Sequence, residues 1–307
     1  MSRTTTKPAK KKYGKLDKKL MFIGILFLMP ATILVAFTTI IPVVWNIVLS
    51  LCKWNGNGPM EFVGLENFTK LFTDTPTLKT IGNSLFIAGV STIFTMVLGI
   101  LLALMIYKTG KKEGAFFRFV FYNPNIMPMT VAGLLFVFVL APDEGLLNNI
   151  FAAMGLESLQ HAWLAEPGLV LWTLAIVAGW KGSGCIMMLI YTGVLAIPDS
   201  LFESAKLDGA NYFKEVRMII LPLIKPTICM VFSMEVMWSF KTYDIVWTMT
   251  QGGPGSLSKT APISMIQQAF TYNKFGYASA IGLVFSVIVL ICIGVVRRML
   301  RSETYEY

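Results

Sequence analysis

The stretch Pro198-Asp199-Ser200-Leu201-Phe202-Glu203-Ser204-Ala205-Lys206-Leu207-Asp208-Gly209-Ala210 decides how this chain is read, because it interrupts two long apolar runs, Leu169 to Leu195 and Leu223 to Met249. Runs of that length match the hydrocarbon core of a bilayer, which takes about 20 helical residues to cross. A charged, glycine-punctuated segment between them belongs at the membrane surface, where a partner can reach it. Ser200 and Glu203 have the spacing of a capping box, Leu201, Ala205 and Leu207 can face an apolar surface, and Gly209 offers a positive-φ exit that a side chain would resist. Asp208 can bond back to the turn. A second helix is expected from near Ala210 through Phe213, Val216 and Ile219, before Pro222 and Pro226 redirect the chain.

Six stretches are each able to span the hydrocarbon: Leu20 to Leu49, Ile81 to Ile106, Phe119 to Leu140, Leu169 to Leu195, Leu223 to Met249 and Ala278 to Val296. The 307 residues are 55% apolar and only 14% charged, with a mean hydropathy of +0.66, a surface that water would not hold in solution. Backbone groups in lipid must be satisfied within their own segment, so the spans are helices and the fold class is an all-α polytopic membrane protein. The first span is too long for a cleaved signal peptide and lacks its small-residue cleavage site. Pro30 and Pro42 predict kinks within it, and its outer end leaves the bilayer before Leu49.

The net charge of +9 does not point to nucleic acid, because of where the charges fall. Eight of the 26 Lys and Arg residues precede Leu20, four lie from Lys108 to Arg118, four from Lys206 to Lys225, and three follow Val296. The opposite loops hold Lys53, Lys70 and Lys79 in one, none between Ala141 and Gly168, and Lys259 and Lys274 in the last. That asymmetry places both termini in the cytoplasm, with basic clusters that contact lipid headgroups. The expected organisation is a basic tail at 1–19, a six-span domain at 20–296 with the surface segment at 198–222, and a tail at 297–307. Cysteine and histidine supply little chemistry. Cys52 has no external partner, and His161 stands alone in an outer loop, with no cluster of metal-site spacing and no catalytic set.

The outer connections carry turns and short helices. Glycine and asparagine fill residues 55–58, a short helix is expected from Gly145 to Met154, and another follows the Gly252-Gly253-Pro254-Gly255 turn, around Ile263 to Phe270. Within the spans, Lys181 and Glu235 are the conspicuous charges. Counting in from Leu195 and from Pro222 puts both roughly 20 Å along their helices, so they suit either a buried pair or a polar pathway. Lys241 and Asp244, three apart near an outer end, suggest an interfacial salt bridge. Trp238, Phe240, Tyr243 and Trp247 are aromatics able to stack on a sugar ring or to pack between helices.

The segment from Pro198 onward resembles the EAA signature of the permease subunits of bacterial binding-protein-dependent ABC sugar importers. Glu203-Ser204-Ala205, Asp208-Gly209-Ala210, Phe213, Ile220-Leu221-Pro222 and Pro226 follow its pattern, with Ser204 in place of the usual second alanine. Further family-like features are Phe62-Val63-Gly64-Leu65-Glu66-Asn67-Phe68, Asn83-Ser84, Asp244 with Gly252-Gly253-Pro254, and Tyr277-Ala278-Ser279-Ala280. The resemblance implies an ABC importer permease fold in the bacterial plasma (inner) membrane, with Glu203, Ser204, Ala205, Asp208, Gly209 and Ala210 as the coupling surface for ATPase subunits. It implies as partners a second, homologous permease chain, two ATPase subunits and an extracellular or periplasmic solute-binding protein. No phosphate-binding loop occurs in this chain, so ATP and Mg are expected on the ATPase subunits and no cofactor on this one. The implied cargo is a carbohydrate, with glycerol phosphate or another polar solute as the alternative. An ion-coupled secondary transporter needs no such surface and usually shows an inverted repeat. A noncatalytic membrane assembly subunit also fits if the surface binds a protein other than an ATPase. An intramembrane enzyme lacks a nucleophile-base arrangement.

Overall fold

The computed structural model describes residues 15–299. Of the expected tails, 1–14 and 300–307 lie outside the described residues, while 15–19 and 297–299 continue the first and last helices. Helix α1 (Lys15–Val35) runs through one π-helical turn at 36–40 into α2 (Ile41–Ser50). The wider turn falls just before Pro42, which has no N–H to bond and whose ring crowds the preceding turn. Residues Lys19–Ser50 still form one candidate span of 32 residues, so the two prolines do not break it.

A two-residue antiparallel ladder, β1 (Cys52–Lys53) on β2 (Glu61–Phe62), follows. The Asn67 amide fastens it by donating to the carbonyls of Ser50 and Cys52, each at 2.9 Å. Helix α3 (Glu66–Thr73) then leads through Asp74 into α4 (Thr75–Tyr107), the longest helix of the chain among the described residues. Next come α5 (Lys111–Ile126) and α6 (Met129–Val139), then a short α7 (Leu146–Ala153) where a helix was expected, and α8 (Val170–Leu195). Beyond it lie α9 (Asp199–Leu207) and α10 (Tyr212–Glu215). A π turn at 216–220, the three-residue α11 (Leu221–Leu223) and α12 (Lys225–Ser239) continue the path. Helices α13 (Tyr243–Thr250) and α14 (Ala261–Ile266), the latter prolonged by a π turn at 267–271, precede the last helix, α15 (Phe275–Met299).

Two of the six expected spans are not single continuous helices. The third is bent by 98° between α5 and α6, because Pro128 forces Met127 out of the helical region, to φ −65° and ψ 139°. The fifth does not run from Leu223 to Met249. Helix α12 stops at Ser239, and α13 starts afresh to pack against α6. On its other side α12 makes a 67° bend with residues 212–223. Among the described residues there are therefore four candidate spans and two bent pairs, which make six when each pair counts once.

Helices α4 and α8 form the central seam, packed along much of their lengths. Small residues permit it. A Cβ at Gly99 would lie 2.8 Å from Ile186 Cγ2, and one at Gly179 would lie 3.0 Å from the Ser91 carbonyl. In a bilayer, where lipid is as apolar as leucine, such backbone approach supplies the van der Waals contact that holds helices together. One apolar cluster closes the seam at the end that meets α9, through Ile106, Ile190, Val194, Phe202 and Ile220. A second joins α8 to α6 and α13, and a third joins α4 and α12 to α15.

Candidate functional site

The surface segment folds as a short helix and a sharp exit. Helix α9 begins at Asp199, two residues earlier than a Ser200 cap would set it, with Pro198 in the N-cap position. The expected capping box of Ser200 and Glu203 is not formed: Pro198 supplies no side-chain acceptor, and the Ser200 carbonyl accepts from the Ser204 hydroxyl at 3.0 Å. The exit is as the sequence indicates. Gly209 takes φ +70°, its N–H donates to the Lys206 carbonyl at 3.1 Å, and the Ala210 N–H donates to the Ala205 carbonyl at 2.9 Å. This pair of bonds is a Schellman motif, which satisfies carbonyls that the helix end would otherwise leave open.

The buried face of α9 is Phe202, not the expected Leu201 and Leu207. Phe202 is 7% exposed and lies 5.7 Å from the Tyr107 ring at the end of α4, whereas Leu207 is 90% exposed. Glu203, Ser204, Asp208 and Gly209 are all exposed, and Ala205 and Ala210 are half-buried. The segment thus shows an outward face of two acids and an open leucine, fixed from beneath by one aromatic anchor. Asn211 starts α10 by accepting the Lys214 N–H at 3.0 Å.

Deeper in the helices, Lys181 and Glu235 take different partners. The Lys181 ammonium donates to the Asn125 carbonyl at 3.3 Å, near the corner between α5 and α6. Glu235 is buried at 6% exposure, and a Cβ at Gly182 would lie 3.7 Å from both its Oε1 and Thr95 Oγ1. Among the described residues, the ion pairs closer than 4.0 Å are Lys108 with Glu215 and His161 with Glu166, so neither Lys181–Glu235 nor Lys241–Asp244 is joined. Lys241 stands in the break before α13, off the helical face on which a three-residue spacing was expected to pair it.

The four aromatics divide. Phe240 is 9% exposed and packs edge-on against Phe285, 6.0 Å between centroids, which makes it part of the core. Tyr243 and Trp247 stack on each other at 5.8 Å and 11°, and Trp238 is 46% exposed. Sequence reasoning missed Phe202, Thr95 and Gly182, whose importance lies in contacts between distant segments. It also missed a cleft of about 560 Å³ near the β1–β2 ladder, lined by Lys53, Trp54, Glu66, Lys70, Tyr272 and Lys274 among others. Beside this cleft, Asp74 accepts from the hydroxyls of Thr77 at 2.6 Å and Tyr277 at 2.7 Å. Burial alone would raise the Asp74 carboxyl, but these two donors and the nearby Lys70 charge hold it below its ordinary value. No group of three or more His, Cys, Asp or Glu residues with metal-site geometry occurs among the described residues.

The family described as the binding-protein-dependent transport system inner membrane component matches residues 95–302. The probable ABC transporter permease protein YurN of Bacillus subtilis is 35% identical over 267 residues, 86% of this chain and 91% of that protein. The diacetylchitobiose uptake system permease protein NgcF of Streptomyces coelicolor is 29% identical, over 89% of this chain and 79% of its own. Among solved structures, a chain of a bacterial alginate ABC transporter, crystallised with its alginate pentasaccharide-bound periplasmic protein, superposes with a TM-score of 0.82 at 22% identity. That match covers 94% of this chain and 97% of the other, a likeness of fold.

Proposed function

Because the chain belongs to the binding-protein-dependent transport system inner membrane component family, we propose that it forms half of the translocation pathway of an ATP-driven carbohydrate importer. It is a permease subunit and not an enzyme; ATP hydrolysis, with its Mg, takes place on two separate ATPase subunits. A second, homologous permease completes the pathway, and a solute-binding protein delivers cargo from outside. The chain lies in the inner membrane of a bacterium, with both termini and α9 on the cytoplasmic side, as the excess of Lys and Arg in alternate loops supports.

The observation that carries this reading is the outward face of α9. Glu203, Ser204, Ala205, Asp208, Gly209 and Ala210 form the coupling surface within 198–222, with Leu207 exposed beside them and Phe202 tying the helix to α4. ATP binding draws the ATPase subunits together, α9 moves with them, and the pathway opens to the other side; hydrolysis resets it. Lys181 and Glu235 are polar groups of the pathway walls, and Trp238, Tyr243 and Trp247 are the aromatics suited to sugar faces. The relative named for diacetylchitobiose uptake supports an oligosaccharide or disaccharide over glycerol phosphate.

The test is substitution on α9. A Cβ at Gly209 would meet nothing within 4 Å, so Gly209→Val acts through the backbone alone, where a left-handed residue with a side chain costs about 1–2 kcal/mol. Glu203→Ala removes an exposed acid without touching the core. Purified complexes carrying either variant should lose ATPase subunits on gel filtration. Retention at the wild-type level in both would sink the coupling surface.

A further inference from the structure

The end of α4 is held by three side chains of α10 and its own C-cap. Lys108, the residue at which α4 stops, places its ammonium 2.7 Å from Glu215 Oε2 and 4.6 Å above the Tyr212 ring. The Tyr212 hydroxyl donates to the Leu104 carbonyl, one of the last four of α4, which a helix end leaves without an intrahelical partner. Glu215 is 3% exposed while Lys108 is 44% exposed, so the carboxylate is the buried member and depends on that lysine for its charge partner. A buried ion without its partner is strongly unfavourable, and an ammonium at a helix C-terminus is favoured by the helix dipole; both effects fix Lys108 against α10.

These contacts make one unit of α9 and α10. The two helices are joined through the Schellman turn at Gly209 and Ala210, and both grip the same end of α4, α9 through Phe202 on Tyr107 and α10 through Tyr212 and Glu215. From Lys108, α4 runs straight back to Thr95, about 20 Å away at helical rise. There the Thr95 hydroxyl meets the Gly179 carbonyl of α8 at 3.2 Å, close to Glu235. Between those points the glycine seam gives α4 and α8 little room to slide.

We propose that Lys108, Tyr212 and Glu215 are positioning residues that fasten the α9–α10 unit to α4, so that a push on α9 is delivered to the α4–α8 pair around Glu235. The proposal rests on the reading of α9 as the ATPase contact. Its function is to transmit motion, and neither the coupling surface nor the pathway wall is built from these three side chains.

The experiment uses the full complex in proteoliposomes: this chain, its companion permease, both ATPase subunits, and the cognate solute-binding protein purified with the solute it carries. Two quantities are read, the ATPase subunits retained and the stimulation of ATP hydrolysis by that binding protein. Lys108→Met and Glu215→Gln should each retain the ATPase subunits and basal hydrolysis, yet lose stimulation on the order of tenfold, the usual size of a coupling between sites. Lys108→Arg, which keeps a cation at the end of α4, should preserve most of it. Tyr212→Phe keeps the ring and removes only the bond to Leu104, so it folds where a harsher change fails; its stimulation should drop by about fivefold, as for one lost hydrogen bond. Wild-type stimulation in Lys108→Met and Glu215→Gln, or a loss in Lys108→Arg as large as in Lys108→Met, overturns the proposal. Loss of the ATPase subunits themselves also overturns it, since the three residues would then merely shape the surface. Failure of the α9 reading is seen separately, as full ATPase retention in Glu203→Ala and Gly209→Val.

Discussion

Replacing Gly99 by alanine sets two effects of opposite sign against each other on the α4–α8 seam. Alanine is the better helix former by about 0.8–1.0 kcal/mol, so on propensity alone the change stabilises. The added methyl, however, would sit 2.8 Å from Ile186 Cγ2, 2.9 Å from Ile186 Cβ and 3.1 Å from the Met187 nitrogen. Carbon atoms in ordinary contact stand about 3.5–4.0 Å apart, so the helices must separate by roughly 0.7 Å. Ile186 is β-branched and held to one rotamer in a helix, and Met187 offers backbone, so neither swings aside. Overpacking of this kind costs about 1–3 kcal/mol, which outweighs the propensity gain and leaves a net loss near 1 kcal/mol. Gly89 supplies the control, because it lies on the same helix, is exposed, and a Cβ there meets nothing within 4 Å. Thermal unfolding of the purified complex in detergent should show a lower Tm for Gly99→Ala and an unchanged or higher Tm for Gly89→Ala. Equal shifts of the same sign would refute the reasoning that the seam is packed to backbone contact.

Two further predictions test the charged groups. In a double-mutant cycle on Lys181→Met and Glu235→Gln, read by detergent stability, the coupling energy should stay under about 1 kcal/mol, since the two charges take separate partners; a coupling of about 3–5 kcal/mol, as for a broken buried pair, would contradict that. Asp74 has a folded-state pKa below its ordinary value, so its stabilisation is present at neutral pH and lost as the pH falls through the depressed value. Asp74→Asn should therefore lower the neutral-pH Tm and flatten the acid side of a Tm-against-pH curve, and an unchanged acid side would show that the Thr77 and Tyr277 bonds do not matter to folding.

What was legible in the chain divides by the range of the interactions involved. The exit at Gly209 is legible because a Schellman motif is made within six residues, Ala205 to Ala210, and its chemistry is entirely local. The capping box failed at equally short range because two local signals competed: Pro198 pre-sets the chain for helix entry, so the helix begins at Asp199 and leaves Ser200 inside it. The bend at Met127 was also local, since a residue before proline avoids the helical region, but hydropathy is blind to it; an apolar run has the same sum whether straight or folded through 98°. Phe202 and the Lys108–Glu215 pair were out of reach for another reason. Their meaning depends on which face of α9 and α10 meets α4, and composition within 198–222 gives no azimuth against a helix that ends some 90 residues earlier. Lys181 and Glu235 show the same limit most plainly. Counting rise places two charges at similar depth, a one-dimensional quantity, whereas pairing also needs the rotation of each helix. Here Lys181 turns toward Asn125 at the α5–α6 corner and Glu235 toward Thr95 and Gly182 in the α4–α8 seam. Sequence therefore locates polar groups along the membrane normal, and only packing decides whether they neutralise each other or remain separate along a pathway.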